Sequence, residues 1–306
     1  MSAATIEPAV LDTDVVVASA RGLTKRFGSV TALDDVTFDL RENTIYGLLG
    51  RNGAGKTTLM QVMTGQAFQT VGQVRVFGHT PHENTEVLRG ISFIKESQAY
   101  PADYKVEHVL SAARHLLREW DEDFARELVR DFDLPTDRKV KKLSRGMTSA
   151  LGVIIGLASR APLTFFDEPY LGLDAVSRQR FYDRLLADYA EHPRTVVLST
   201  HLIDEVADLL EHVLLIDKGR LVVDAPADEL RETAMTVSGA IADVDSFVGG
   251  RPELRRESLG NQARVMLRTE RRADDIAHAK SLGLLVEPVS LQQLIVETTN
   301  LRGKDQ

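Results

Sequence analysis

The sequence predicts an α/β protein whose largely parallel sheet is covered by helices. Three observations lead to this prediction. Short runs rich in Val, Leu, Ile and Phe alternate with helical segments, and one such run enters a glycine-rich loop directly. No apolar run is long enough to span a bilayer, which needs about 20 residues. The longest is Ala150–Ala158, so we expect it to lie in a protein core.

Composition narrows the classes of protein that the chain can belong to. With 306 residues, 43% of them apolar and 27% charged, it has room for one large domain and a small one. The net charge of −8 argues against a nucleic-acid partner. The absence of cysteine excludes disulfides, thiol catalysis and iron–sulfur clusters.

Each element is predicted from a short pattern. Strands are apolar runs bounded by turn residues, predicted at Val15–Ala20, Val36–Leu40, Ile45–Leu49, Val74–Phe77, Ile91–Ile94, Leu163–Phe166, Thr195–Ser199, Val213–Ile216 and Leu221–Val223. From about Val106 to Leu134 the apolar residues recur at helical spacing. Further helices are expected at Ala175–Ala190 and Ile203–Leu210.

Composition and the pattern of predicted elements divide the chain into three parts. Residues 1–13 are small, polar and acidic, which is typical of a flexible extension. Residues 14–225 carry the strand–helix alternation. Residues 226–306 are expected to form a small α+β accessory domain, with a helix at Ala227–Ala234, a strand at Arg264–Leu267 and a helix at Ala273–Ser281.

A phosphate-binding loop stands between the strand Ile45–Leu49 and a helix that begins near Lys56. The segment GRNGAGKT fits the P-loop pattern G-x-x-x-x-G-K-[ST] in its required context. Its backbone amides can face a β-phosphate, Lys56 adds a positive charge, and Thr57 offers a hydroxyl to Mg²⁺. The candidate nucleotide-binding residues here are Gly50, Asn52, Gly53, Ala54, Gly55, Lys56 and Thr57.

Two acidic residues follow a buried strand further along. Asp167 ends the run LTFFD, where it can reach the Mg²⁺ beside a P-loop, and Glu168 can accept a proton from an attacking water. Between the two motifs, LSRGM opens an apolar helix. Ser144 there is either a plain N-cap or part of an anion-binding helix start with Gly146.

The order of these motifs resembles the nucleotide-binding subunit of an ABC transporter over roughly residues 15–225. The resemblance implies a P-loop NTPase of ABC type, with a mostly parallel core sheet, an antiparallel β subdomain and a helical subdomain at about 97–142. It also implies roles for further residues: Phe27 stacks on adenine, Thr58 adjoins the P-loop, Ser144 and Gly146 belong to the signature, Asp174 lies in the D-loop, and His201 is the switch histidine that contacts the γ-phosphate.

Three positions depart from the family pattern. The family signature is LSGGQ, whereas this chain has LSRGM, in which Arg145 and Met147 replace Gly and Gln. Tyr170 stands where Thr is common, which we expect to matter little. Glu96 takes the place of the Q-loop glutamine and could still reach Mg²⁺ through its oxygens, although Gln98 is an alternative.

The resemblance implies an ATPase that uses ATP and Mg²⁺ to power transport. Export is expected because the sequences SRGM and DEPYLGLD are similar to the corresponding motifs of bacterial exporters. The implied partners are a separately encoded transmembrane permease and a second nucleotide-binding subunit, either a copy of this chain or a paralogue. The implied location is peripheral, on the cytoplasmic side of the cell membrane. The alternative is a soluble ABC-type ATPase without a membrane partner. The sequence does not indicate the transported substrate.

Overall fold

The computed structural model describes residues 15–96, 98–270 and 272–304, so the extension predicted at 1–13 lies outside the described residues. Strands and helices alternate through most of this range. The strands are β1 Val16–Phe27, β2 Val30–Arg41, β3 Ile45–Leu49, β4 Val71–Val76, β5 Ile91–Ile94, β6 Leu163–Asp167, β7 Thr195–Thr200, β8 His212–Asp217, β9 Arg220–Pro226, β10 Ala234–Ala240, β11 Glu253–Leu259, β12 Gln262–Arg268 and β13 Leu285–Pro288.

The helices fall between and after these strands. They are α1 Lys56–Met63, α2 Thr85–Leu88, α3 Val106–Leu116, α4 Glu122–Asp131, α5 Arg145–Ala158, α6 Ala175–Glu191, α7 Ile203–Val206, α8 Ala227–Glu232, α9 Ile241–Val248, α10 Ala273–Ser281 and α11 Leu291–Lys304. Short 3₁₀ turns occupy Val140–Lys142 and Ala207–Leu209.

The chain divides into two compact units. Within the described residues, one unit comprises 15–44 and Thr57–Val197, and the other comprises Ile45–Lys56 and 198–304. The chain therefore passes from one unit to the other three times: between Thr44 and Ile45, between Lys56 and Thr57, and within β7.

The first unit contains an antiparallel sheet and a parallel strand pair. The antiparallel sheet has the order β2-β1-β4, and Ala18 in its central strand faces Leu40 on one side and Val76 on the other. Strands β5 and β6 are parallel, with Phe93 opposite Phe165. All five residues of β6 are buried. Its apolar side chains hold the end of the strand in place, and with it Asp167 and the adjoining Glu168.

The helical block of the first unit forms where the apolar periodicity predicts it. Helices α3 and α4 bury Val109 and Leu128 among others, but Leu116, which shares the apolar period, is 70% exposed. The predicted core stretch Ala150–Ala158 is buried along the second half of α5. Among the described residues, no helix combines the length and hydropathy that a bilayer span requires.

The second unit begins with β3, which has the predicted bounds and is buried throughout. It pairs in parallel with β8, so that Leu48 faces Leu214, and β8 continues into an antiparallel pair with β9. Because β3 is anchored over its whole length, the loop that follows it starts from a rigid position.

The C-terminal part of the second unit is an antiparallel sheet with the order β11-β12-β10-β13, packed with helices. The helix predicted at Ala227–Ala234 is shorter, because α8 ends at Glu232 and Ala234 pairs with Arg268 as the start of β10. Strand β11 was not predicted. Only Leu254 is buried along it, so this charged edge strand shows no alternation that a sequence pattern could detect.

Candidate active site

The phosphate loop is held by its own hydrogen bonds and by the end of β8. A Cβ on Gly50 would lie 2.2 Å from the carbonyl oxygen of Ile216, so only glycine fits there at its φ of +148°. The amide of Ala54 donates to Arg51 O at 3.0 Å, and Gly219 N donates to Ala54 O at 2.9 Å. The loop therefore has a defined curvature, which is what phosphate binding by backbone amides requires.

The cationic side chain of the loop folds back onto the loop. The Lys56 Nζ atom donates to Gly50 O at 2.7 Å and is 3.4 Å from Arg51 O. Lys56 is only 6% exposed, and Ala54 is buried as well, whereas Asn52 and Gly53 are exposed. The positive charge is thus kept at the loop, where the sequence predicts phosphate binding.

A hydrogen bond joins the residue after that lysine to the end of β6. The Oγ1 atom of Thr57 donates to Oδ2 of Asp167 at 2.6 Å, across 110 residues of sequence. Asp167 is 4% exposed, and Thr58 beside Thr57 is half-buried. A hydroxyl and a carboxylate at this distance are the hard oxygen donors that Mg²⁺ prefers. In the part of the chain that the structure describes, no cluster of three or more His, Asp or Glu could hold a metal; Mg²⁺ ordinarily takes its remaining ligands from phosphates and water.

Glu168 follows directly and is 7% exposed. Its backbone is left-handed, with φ of +51°. The hydroxyl of Tyr170 donates a hydrogen bond to its Oε2 atom. The sequence predicts little effect of Tyr170, and its one signal for this contact is a tyrosine in place of a common threonine.

The segment LSRGM, predicted to be the signature, leads into α5 and packs against residues 171–174, which are predicted to be the D-loop. Ser144 is the N-cap of the helix, and its Oγ accepts from Met147 N at 3.2 Å. A Cβ on Gly146 would come within 2.8 Å of Gly172 O, so any larger residue would push the two segments apart. Ser144 is exposed at the start of the helix, which leaves both the plain-cap and the anion-binding interpretations in place.

Asp174, the last residue of the predicted D-loop, is the N-cap of α6. Its Oδ1 accepts from Ser177 N at 2.7 Å. This backbone hydrogen bond is the main reason why the pKa of Asp174 lies below its usual value. The side chain therefore carries a negative charge at the positive end of the helix dipole.

Two of the residues that depart from the family pattern, Arg145 and Glu96, lie close together. The guanidinium of Arg145 lies 3.6 Å from the carboxylate of Glu96, and both side chains are largely exposed. The stem of Arg145 passes over Gly172, whose Cβ would come within 2.9 Å of the arginine Cγ. Gln98, the alternative Q-loop residue, accepts instead from Lys95 N at 3.4 Å. The two replacements thus carry opposite charges and form an ion pair.

The last two predicted site residues lie at strand ends. Phe27 ends β1 and is 51% exposed, with the ammonium of Lys25 4.6 Å from its ring centroid. A half-exposed aromatic ring is of the kind that stacks on a nucleotide base. His201 directly follows β7 and is exposed. The roles of both residues stay predictions from the resemblance.

Comparisons with known proteins identify the family. The family described as "ABC transporter" matches residues 33–171. A bacitracin transport ATP-binding protein (BcrA) of Bacillus licheniformis is 31% identical over 213 residues, which cover 69% of this chain and 70% of that protein. A doxorubicin resistance ATP-binding protein (DrrA) of Mycobacterium tuberculosis is 31% identical over 235 residues, covering 72% of this chain and 69% of that protein.

A solved structure agrees with these relatives in fold. The ATP-binding subunit of an ABC transporter superposes with a TM-score of 0.64 at 22% identity, over 70% of this chain and 92% of its own. The predicted α/β P-loop fold of ABC type is therefore confirmed. Because relatives of 31% identity extend over about two thirds of both chains, the chain belongs to the ATP-binding subunits of the ABC transporter family, and it is an ATPase.

Proposed function

We propose that this chain hydrolyses ATP, with Mg²⁺, to power export through a separately encoded membrane subunit. One observation carries the proposal: the hydroxyl of Thr57 and the carboxylate of Asp167 meet at 2.6 Å. This pairing of a P-loop hydroxyl with a strand-end carboxylate is the arrangement that P-loop ATPases use to hold Mg²⁺.

We assign the catalytic roles to the residues of the motifs on which the family resemblance rests. The amides of the loop and the ammonium of Lys56 bind the β- and γ-phosphates, and His201 holds the γ-phosphate. Glu168 orients a water for in-line attack and accepts its proton. Thr57, Asp167 and Glu96 would hold Mg²⁺ through their side-chain oxygens, and the bound ion would offset the charge of the phosphates.

A second nucleotide-binding subunit completes the proposal. The chain has one copy of each motif, so Ser144, Gly146 and Asp174 act on the nucleotide that a second subunit holds, in a head-to-tail pair with two-fold symmetry. The exposure of Ser144 at the start of α5 supports this role, since a buried residue would be unavailable to another chain.

An apolar groove supports a membrane partner. It has a volume of about 380 Å³ and lies beside the Q-loop, with Phe93, Gln98, Tyr100, Tyr104 and Leu116 among its lining residues. Tyr104 is 48% exposed and Leu116 70%. Large exposed apolar side chains around a groove are typical of protein contact sites. We assign the groove to a cytoplasmic segment of the permease, and we propose that the chain lies peripherally on the cytoplasmic face of the membrane.

The direction of transport is proposed from the names of relatives. One relative is named for bacitracin transport and another for doxorubicin resistance. Resistance through a transporter requires that the drug leave the cell, which supports export. Within the chain, we assign ATP hydrolysis to residues 14–225 and an accessory role to 226–306.

One experiment tests both parts of the proposal, namely the membrane partner and the role of Glu168 as the catalytic base. The tagged wild-type chain and its Glu168→Gln variant are purified from detergent-solubilised membranes of the native host. Accompanying proteins are identified by mass spectrometry, and ATP binding and turnover are measured on both preparations. We expect a multi-spanning protein in comparable amounts with both chains. The variant is expected to bind ATP as the wild type does while losing nearly all turnover, because the amide cannot accept the proton.

The possible outcomes test transport and the catalytic base independently. If the chain stays in the cytosol, or accompanies ribosomes or DNA, the transport half fails and the soluble ATPase alternative replaces it. If Glu168→Gln retains full turnover, the assignment of the base fails, whatever protein accompanies the chain.

A further inference from the structure

A buried hydrogen bond connects the proposed base to a residue that the family pattern does not require. Tyr170 is 3% exposed and Glu168 is 7% exposed, and the phenol hydroxyl of the first donates to Oε2 of the second. Inside a protein such a bond is stronger than in water, since the local dielectric constant is lower. A charged acceptor strengthens it further.

The backbone between the two residues is a closed turn. Leu171 N donates to Glu168 O at 3.1 Å, and Leu173 N donates to Tyr170 O at 2.9 Å. Pro169, between the two side chains, has a restricted φ. The turn therefore brings the tyrosine ring and the glutamate side chain to the same side with little backbone freedom.

The position of the phenol oxygen is also constrained from outside the turn. The ring of Tyr170 is enclosed in the protein, and the guanidinium carbon of Arg178 lies 5.9 Å from its centroid. A glutamate side chain has three rotatable bonds, so a fixed donor at its carboxylate selects one conformer from many. The hydroxyl of a threonine is attached to Cβ and would stand several bonds short of the same point.

We infer that Tyr170 is a positioning residue for ATP hydrolysis: its hydroxyl holds the Glu168 carboxylate in the conformation that orients the attacking water. This inference rests on the proposed role of Glu168 as the base. It assigns a function to a position where the sequence suggested none. Preorganisation of this kind affects the chemical step and leaves nucleotide affinity unchanged, because the tyrosine acts through the glutamate rather than on ATP.

The test removes one oxygen atom. In Tyr170→Phe the ring stays and only the hydroxyl is lost, so we expect kcat to fall about tenfold with KM for ATP unchanged. The matched control is Tyr189→Phe in α6, which removes a hydroxyl that donates to Asn43 O; its kcat is expected to equal that of the wild type. In a Glu168→Gln background, Tyr170→Phe is expected to cause no further loss, because the base through which it acts is absent.

Several outcomes would overturn the inference. Wild-type kcat in Tyr170→Phe, alongside an inactive Glu168→Gln, refutes the role of Tyr170 and leaves the proposed function intact. A fall in kcat matched by the Tyr189→Phe control, or accompanied by a lowered Tm and weaker ATP binding, identifies a purely structural role and also refutes it. Full activity of Glu168→Gln would refute the proposed base, and the inference with it.

Discussion

Replacing Ser144 by Asp separates two roles that the wild-type serine combines. As an N-cap, its Oγ accepts from Met147 N at 3.2 Å. As part of the signature, it is proposed to contact a γ-phosphate held by a second subunit. An aspartate caps a helix as well as serine does, and its charge suits the positive end of the helix dipole. The same charge repels a phosphate.

The magnitudes of the two effects differ enough to be distinguished. Loss of the cap in Ser144→Ala is expected to cost about 1 kcal/mol, which lowers Tm by about 2 °C for a chain of this size. Ser144→Asp keeps the cap and is expected to show the wild-type Tm. The aspartate carboxylate would lie about 4 Å from a phosphate oxygen, and the repulsion between these two negative charges costs about 4 kcal/mol at an effective dielectric constant of 20. Turnover is then expected to fall by about 10³-fold.

The assay pairs thermal unfolding with steady-state ATP turnover and binding of a fluorescent ATP analogue. Ser144→Thr is the control, because it retains the hydroxyl and the cap and is expected to keep most of the activity. Binding by the isolated chain is expected to be the same in all variants. Wild-type turnover in Ser144→Asp would refute the phosphate contact and leave Ser144 as a plain N-cap.

Two further predictions concern ion pairs of opposite character. Asp188 is 5% exposed, and its carboxylate lies 2.6 Å from the guanidinium of the equally buried Arg194. Asp188→Ala leaves this buried cation without its carboxylate, so we expect the free energy of unfolding to fall by about 3–5 kcal/mol, as measured by urea unfolding. The control is Asp183→Ala at an exposed position of the same helix, which is expected to change the free energy by less than about 0.5 kcal/mol. The pair between Glu96 and Arg145 is exposed, so Glu96→Gln is expected to change stability by less than about 1 kcal/mol while altering the Mg²⁺ concentration needed for half-maximal turnover. An unchanged Mg²⁺ dependence would show that the charge of the Glu96 carboxylate does not act on the metal.

Much of the catalytic apparatus could be predicted from sequence because its signals are local. The glycines and Lys56 of the P-loop follow one another, and the strand before them is a continuous apolar run that the structure reproduces as Ile45–Leu49. Asp167 and Glu168 likewise end a buried run. In these segments the side chains that shape the backbone and the side chains that do the chemistry are neighbours in the chain.

The C-terminal sheet was harder to predict because its signals are not local. Strand β11 has one buried residue, and Ala234 belongs to a strand because it pairs with Arg268 rather than because of its helix propensity. An edge strand needs a partner strand more than an apolar face, and the partner is distant in sequence. Leu116 has the spacing of a core residue but lines a groove, because burial depends on which elements pack over a side chain and not on its spacing alone.

The sequence by itself determined the family of motifs, the residues of the phosphate loop and the carboxylates that end β6. The tertiary structure alone decided what three replaced residues do. Glu96 and Arg145 depart from the family pattern separately in sequence, and only folding places their charges 3.6 Å apart. Tyr170 reaches Glu168 because a turn with a left-handed residue directs both side chains to one place. Such contacts depend on backbone geometry and packing, which no spacing of residue types encodes.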